Sequence, residues 1–277
     1  MDRSQALACE RLRSGRQEEG NAMTGRARLL CAGLLVCVCL LLAAAAWATE
    51  TLTVNEAFTP DKLGAPTNLS VAAQFSSSTG APPSPIAKLT LYAPAGLGVD
   101  ARGTGTCDET TLRLRGPQAC PATSRVGFGG GVGLIELPKE VIREPFTIDF
   151  FFAPREHGHL TLLAYASAIA PVAVEITVIA KEVPAPAPYG LGFSVEIPPI
   201  STLPGATLAS VESAFASFGS PNVAYYETVH GKRRLVHLKG VVVPKTCPRG
   251  GFPTEGTIDF ADGSTLTVNP TIPCPHG

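Results

Sequence analysis

The chain has 277 residues with 45% apolar and 16% charged side chains, a formal net charge of −1, and 28 Gly and 25 Pro. That apolar fraction excludes a disordered polyelectrolyte, and the near-zero charge excludes a globally basic nucleic-acid binder, so no nucleic-acid partner is expected.

In chain order, residues 1–22 are polar and charged, and Met23-Thr24-Gly25-Arg26 has the look of a compact start, so Met23 is the expected true start. Arg26-Ala27-Arg28 then leads into an unbroken apolar run, Leu29 to Ala46, closing on Ala46-Trp47-Ala48. A basic flank, an apolar run and a small-x-small site are what an export signal and its peptidase require, so residues 1–48 are predicted to be a signal peptide. Cleavage after Ala48 leaves 229 residues with a net charge of −3. A retained segment would instead anchor the protein, its length being near the roughly 18 to 20 residues that span a bilayer, and only then is a membrane partner expected. The predicted location is secreted or at the cell surface. Export reaches an oxidising compartment, where Cys107, Cys120, Cys247 and Cys274 can pair. Four cysteines allow three pairings; proximity favours Cys107 with Cys120 and Cys247 with Cys274.

Beyond the signal, Gly and Pro recur between short alternating or β-branched runs, and helical periodicity is hard to find. Strands are expected at Leu52–Phe58, Asn68–Phe75, Ala87–Tyr92, Arg125–Leu137, Phe146–Phe152, Leu160–Ala166 and Val172–Ala180. Further strands are expected at Gly192–Ile197, Leu208–Phe215, Val223–His230, Arg234–Val243, Thr257–Phe260 and Thr265–Val268. The fold class is all-β and antiparallel, sandwich-like or a barrel. Alternating prolines in Val183-Pro184-Ala185-Pro186-Ala187-Pro188 hold the backbone extended, so one β-domain over 49–183 is followed by a second over 184–277 or by its own continuation.

Few residues suggest chemistry. Gly127-Phe128-Gly129-Gly130-Gly131-Val132-Gly133 fails the dinucleotide fingerprint, because the third required glycine falls on Val132 and no helix pattern follows. Alternating glycines instead let a strand bend or another backbone approach. Glu156-His157-Gly158-His159 puts two imidazoles two residues apart, a spacing that could hold a metal, yet it lies where a hairpin turn is expected. No cofactor or metal is predicted, there is no Gly-x-Ser-x-Gly, and nothing brings a pair of carboxylates together for hydrolysis. No catalytic residue is assigned.

The best ligand-binding candidate is a hairpin turning through His230-Gly231-Lys232-Arg233. There Lys232, Arg233, Arg234, His237 and Lys239 would form a cationic ridge beside Tyr225 and Tyr226, with His230 at its turn. Such a ridge could hold an anionic cell-wall polymer or polysaccharide, with tyrosine faces stacking on sugar. A solvated edge kept soluble by its charges is the plainer reading. The only tryptophan, Trp47, would leave with the signal, which removes the commonest aromatic platform for carbohydrate.

Three strings stand out as a group mark: Phe58-Thr59-Pro60-Asp61-Lys62-Leu63-Gly64-Ala65-Pro66-Thr67, then Gly116-Pro117-Gln118-Ala119-Cys120-Pro121-Ala122-Thr123-Ser124-Arg125, then Val243-Pro244-Lys245-Thr246-Cys247-Pro248-Arg249-Gly250-Gly251-Phe252-Pro253. On these the chain resembles an uncharacterised family of secreted, β-rich proteins of high-GC Gram-positive bacteria. The resemblance implies export and paired cysteines and carries no active site. The function expected is an exported binding or structural module; the alternative is a secreted hydrolase acting on polysaccharide or ester bonds. Non-reducing mass spectrometry of protein recovered from culture medium should find a species beginning at Thr49; full-length protein in the membrane fraction would overturn the export reading.

Overall fold

Period-two alternation of apolar and polar residues decides this architecture. In the computed structural model, which describes residues 49–201, 203–204, 207–219, 224–237 and 240–275, strand β1 (Glu50–Thr59) exposes Thr51, Thr53, Asn55 and Ala57. Its intervening residues, Glu50, Leu52, Val54, Glu56 and Phe58, turn inward. Strand β2 (Pro66–Ser77) repeats the pattern, with Val71, Ala73 and Phe75 inward and Ala72, Gln74 and Ser76 outward. The expected signal segment lies outside the described residues, and among these no helix is long and apolar enough to cross a membrane.

The remaining strands are β3 (Ile86–Pro94), β4 (Gly98–Asp100), β5 (Arg125–Glu136), β6 (Val141–Phe152), β7 (Thr161–Ala168), β8 (Val174–Val183), β9 (Tyr189–Glu196) and β10 (Ser210–Phe218). They are followed by β11 (Ala224–Val229), β12 (Lys232–His237), β13 (Gly240–Val242), β14 (Phe252–Pro253), β15 (Glu255–Phe260), β16 (Thr265–Val268) and β17 (Thr271–Ile272). The all-β antiparallel build expected from the sequence is what the structure has. Its main sheet runs β1-β2-β10-β5-β6-β7-β8-β9-β3-β15-β16, with the short β13 and β4 added beside the start of β2. Strand β1 at one end comes into contact with β16 at the other, so the sheet rolls into a barrel. Side chains of β1 also reach the segments that lead into β15 and β3: Thr254 donates to Glu56 at 2.5 Å and the Ser84 amide to Glu50 at 3.1 Å.

The proline stretch connects β8 to β9, adjacent strands of this one sheet, and residues 48–277 form a single unit.

The glycine row in β5 admits a close backbone approach. A Cβ on Gly127 would stand 2.4 Å from the Ser217 carbonyl oxygen, on Gly129 2.3 Å from that of Phe215, and on Gly131 2.0 Å from that of Ser213. Strand β10 thus presses against β5 more closely than any side chain permits.

One helix was not legible from periodicity, α1 (Glu109–Arg115). It has local signals all the same: Asp108 caps it by accepting from the Thr111 amide at 2.8 Å, Glu109 sits in the first turn, and Gly116 ends it with φ 74°. Seven residues make no stable helix alone. Tertiary packing holds it: Leu112 buries with Cys107, Phe151, Leu163 and Tyr165 on the outer face of β6 and β7. The Cys107–Cys120 disulfide spans this segment, and Cys247–Cys274 ties the C-terminal arm, the pairing that proximity favours.

Gly131→Val should therefore cost about 3 kcal/mol or prevent folding, since backbone must move to admit the side chain. Gly256→Ala, which meets nothing nearer than 3.5 Å, should stay within about 1 kcal/mol. Urea unfolding measures both.

Candidate functional site

Rolling the sheet brings its apolar face inside, yet the inward side chains do not fill the space. A cavity of about 490 Å³ remains, within the 300–1,000 Å³ span usual for small-molecule sites. Its wall takes residues from nearly every strand: Val54 and Val71, Leu89 and Leu91, Ile148 and Phe150, Ala164 and Ala166, Ile176 and Val178, Phe193 and Val195. Leu91 is 41% exposed although its strand lies mid-sheet between β15 and β9. Strand β7 inverts the usual burial: Leu163 and Tyr165 on its outer face are buried under α1, while Leu162, Ala164 and Ala166 on the inner face stay half-exposed. An apolar lumen inside a largely polar outer surface reverses the pattern of a membrane-spanning barrel.

Three carboxyls are among the lining residues. Glu144, 4% exposed, accepts the Val172 amide at 3.0 Å. Glu255 accepts the Tyr189 hydroxyl at 3.1 Å, and burial followed by that carboxylate raises the Tyr189 pKa. Glu56 projects inward from β1 and accepts from Thr254; its pKa is raised because burial outweighs that hydrogen bond. Sequence reading passed over all three for this role. The alternation Leu52-x-Val54-x-Glu56-x-Phe58 was the available signal, since it puts a carboxyl in an apolar file.

The hairpin singled out from the sequence forms, as the separate two-stranded pair β11 and β12. Its turn is tighter than expected: Val229 pairs with Lys232, leaving only His230 (φ 50°) and Gly231 (φ 74°) between the strands. Lys232 and Arg233 consequently belong to the return strand and alternate in face, so Lys232 and Arg234 are separated from Arg233. Lys232, Arg233 and Arg234 are exposed, and the Arg233 guanidinium lies 4.2 Å from the centre of the Tyr226 ring, which is 60% exposed. Ala224 pairs with His237 and Tyr225 with Val236, while Lys239 lies outside the described residues.

Glu156-His157-Gly158-His159 makes the expected turn, closed by a bridge between Glu156 and His159, with His157 at φ 51°. Among the described residues no group of three or more potential metal ligands gathers. Comparison with family models, with curated proteins and with solved structures finds no match.

The raised Glu56 pKa fixes a sign. The folded state holds this proton more tightly than the unfolded chain does, so the contribution is complete below the ordinary carboxylate range and is lost as pH rises through the folded value. Asp108 and Asp262, lowered by hydrogen bonds from Thr111 and Ser264, act oppositely and only at acid pH. As pH rises from the ordinary carboxylate range, the Glu56→Gln variant should lose less of its urea midpoint than the wild type does; an unchanged slope would contradict this account.

Proposed function

We propose that the chain is an exported binding module whose barrel lumen takes up an elongated apolar ligand. The observation carrying this reading is the ring of inward aliphatic and aromatic side chains left half-exposed around a 490 Å³ space. Closely packed interiors leave few voids larger than a water molecule, and an apolar surface kept open marks a place for a partner. The lining extends along β6 from Glu144 to Phe152, a span of about 26 Å at the ~3.3 Å rise of a strand. That shape suits a flexible hydrocarbon chain better than a compact ring system. Export is supported by the N-terminal pattern, by the two disulfides and by the resemblance to secreted β-rich proteins.

The hydrolase alternative needs a nucleophile or activated water beside converging acid and base groups. The lumen carboxyls Glu56, Glu144 and Glu255 are instead each engaged with a different partner, which favours carriage over hydrolysis. The exposed hairpin supports a second, separate contact, with an anionic cell-wall polymer or polysaccharide through Lys232, Arg233 and Arg234.

One reciprocal experiment tests both contacts. Ala166→Trp, which fills the lumen from β7, should lower binding of a fluorescent apolar probe at least about tenfold and leave retention on a polyanionic column intact. Changing Lys232, Arg233 and Arg234 to Ser should abolish retention and spare the lumen. Probe binding that survives Ala166→Trp would sink the carrier reading, and retention that survives the triple change would sink the polymer reading.

A further inference from the structure

Resting on the reading of the lumen as a ligand site, we propose that Glu56 holds the polar end of the ligand, which is therefore a single-chain amphiphile with a hydrogen-bond-donating end, a hydroxyl or an amine, rather than a plain hydrocarbon.

The argument starts from cost. Strand alternation sets Glu56 in the apolar wall between Val54 and Phe58, with Val71 opposite it on β2. A carboxyl in such a wall is unfavourable unless its oxygens are satisfied. Thr254 supplies one hydrogen bond, to Oε2, whereas an ionised carboxyl offers about four acceptor positions. Among the described residues no other donor is recorded on Glu56, so acceptor capacity faces a space walled mainly by apolar side chains. The other two lumen carboxyls are less available. Glu144 is 4% exposed and closed over by the Val172 amide, and Glu255 is engaged by the Tyr189 phenol. Glu56 alone of the three combines half-exposure with an inward position halfway along a fully paired strand.

The class of ligand follows from the geometry. An ionised carboxyl only accepts, so at Glu56 it selects a donor, whereas an anionic end placed there would face a like charge. Burial raises the Glu56 pKa, and a ligand donor at this position would offset the loss of solvation that burial imposes. The Thr254 hydroxyl fixes one oxygen and thereby the plane of the carboxyl, so that the second oxygen has a defined direction.

Hexadecane, 1-hexadecanol and hexadecylamine share one chain and differ only at the end, and each can displace an apolar fluorophore from the full exported chain with both disulfides intact. Wild-type protein should prefer the alcohol, the amine or both over the alkane by roughly three- to tenfold. Glu56→Leu should level the three, with a wild-type near-UV circular dichroism spectrum certifying that the variant folds. Glu56→Gln, which retains an acceptor and the shape, should keep any alcohol preference and lose any amine preference. Equal affinities in the wild type, or a preference that persists in Glu56→Leu, would overturn the assignment to Glu56 and leave the lumen reading standing. Failure of all three chains to bind would instead overturn the lumen reading itself.

Discussion

A wide antiparallel sheet with one apolar face must cover that face, and everything else in this protein follows from how it does so. Two sheets can pack face to face, or one sheet can roll on itself. Here a single path of eleven strands carries the alternation from β1 to β16, and the ends meet. Strands β5 and β10 meet most closely where side chains are missing. Gly127, Gly129 and Gly131 let the β10 backbone come within a distance that any Cβ would forbid. Composition and local conformation therefore agree with the strand pairing, the consistency between levels that marks a foldable sequence.

Rolling leaves a question of where the stability comes from if the middle is empty. The buried clusters answer it by position. Phe58, Val243, Phe252 and Ile272 gather where β1 ends and the C-terminal arm crosses. Phe75, Ile258 and Phe260 gather with Leu52, Leu89 and Leu266 toward the opposite end. Val126, Phe152 and Leu160 join Val99 and Ala101 beneath the β3–α1 connection. The fourth cluster lies outside the barrel altogether, under α1. Packing at the ends and on the outside thus holds the wall in shape without occupying the lumen. The disulfides serve the same division, one binding the outer helix segment and the other the closing C-terminal arm.

Much of this was legible in the sequence, because strand period and turn chemistry are local. The runs Leu52–Phe58, Asn68–Phe75 and Phe146–Phe152 each fall inside an observed strand. The glycine row was legible as a close backbone approach. What was missed is either too short for periodicity or defined only by tertiary contact. Three-residue β4 and two-residue β14 and β17 have no period to detect, and α1 exists because Leu112 finds Leu163 and Phe151. The hairpin's existence was readable from His230-Gly231; its register was not, because a two-residue turn and a four-residue turn suit the same string.

The lumen is the deeper omission, and its cause is instructive about alternating sequences in general. An inward Val or Leu reads identically whether it meets another side chain or an open cavity, since the sequence records which face is apolar and not how far away the opposing wall stands. Only residues that break the pattern carry information about the space itself. Ala164, Ala166 and Ala168 on β7 are small where a filled barrel would place large residues, and Glu56 is polar where a sealed core would place an aliphatic one. Small side chains make the volume, and the carboxyl gives that volume a direction. A barrel that only needed to be stable could fill the first with leucine and replace the second with valine at no cost in alternation. The presence of both departures on the inward face is the physical reason to regard the cavity as a site rather than a packing defect.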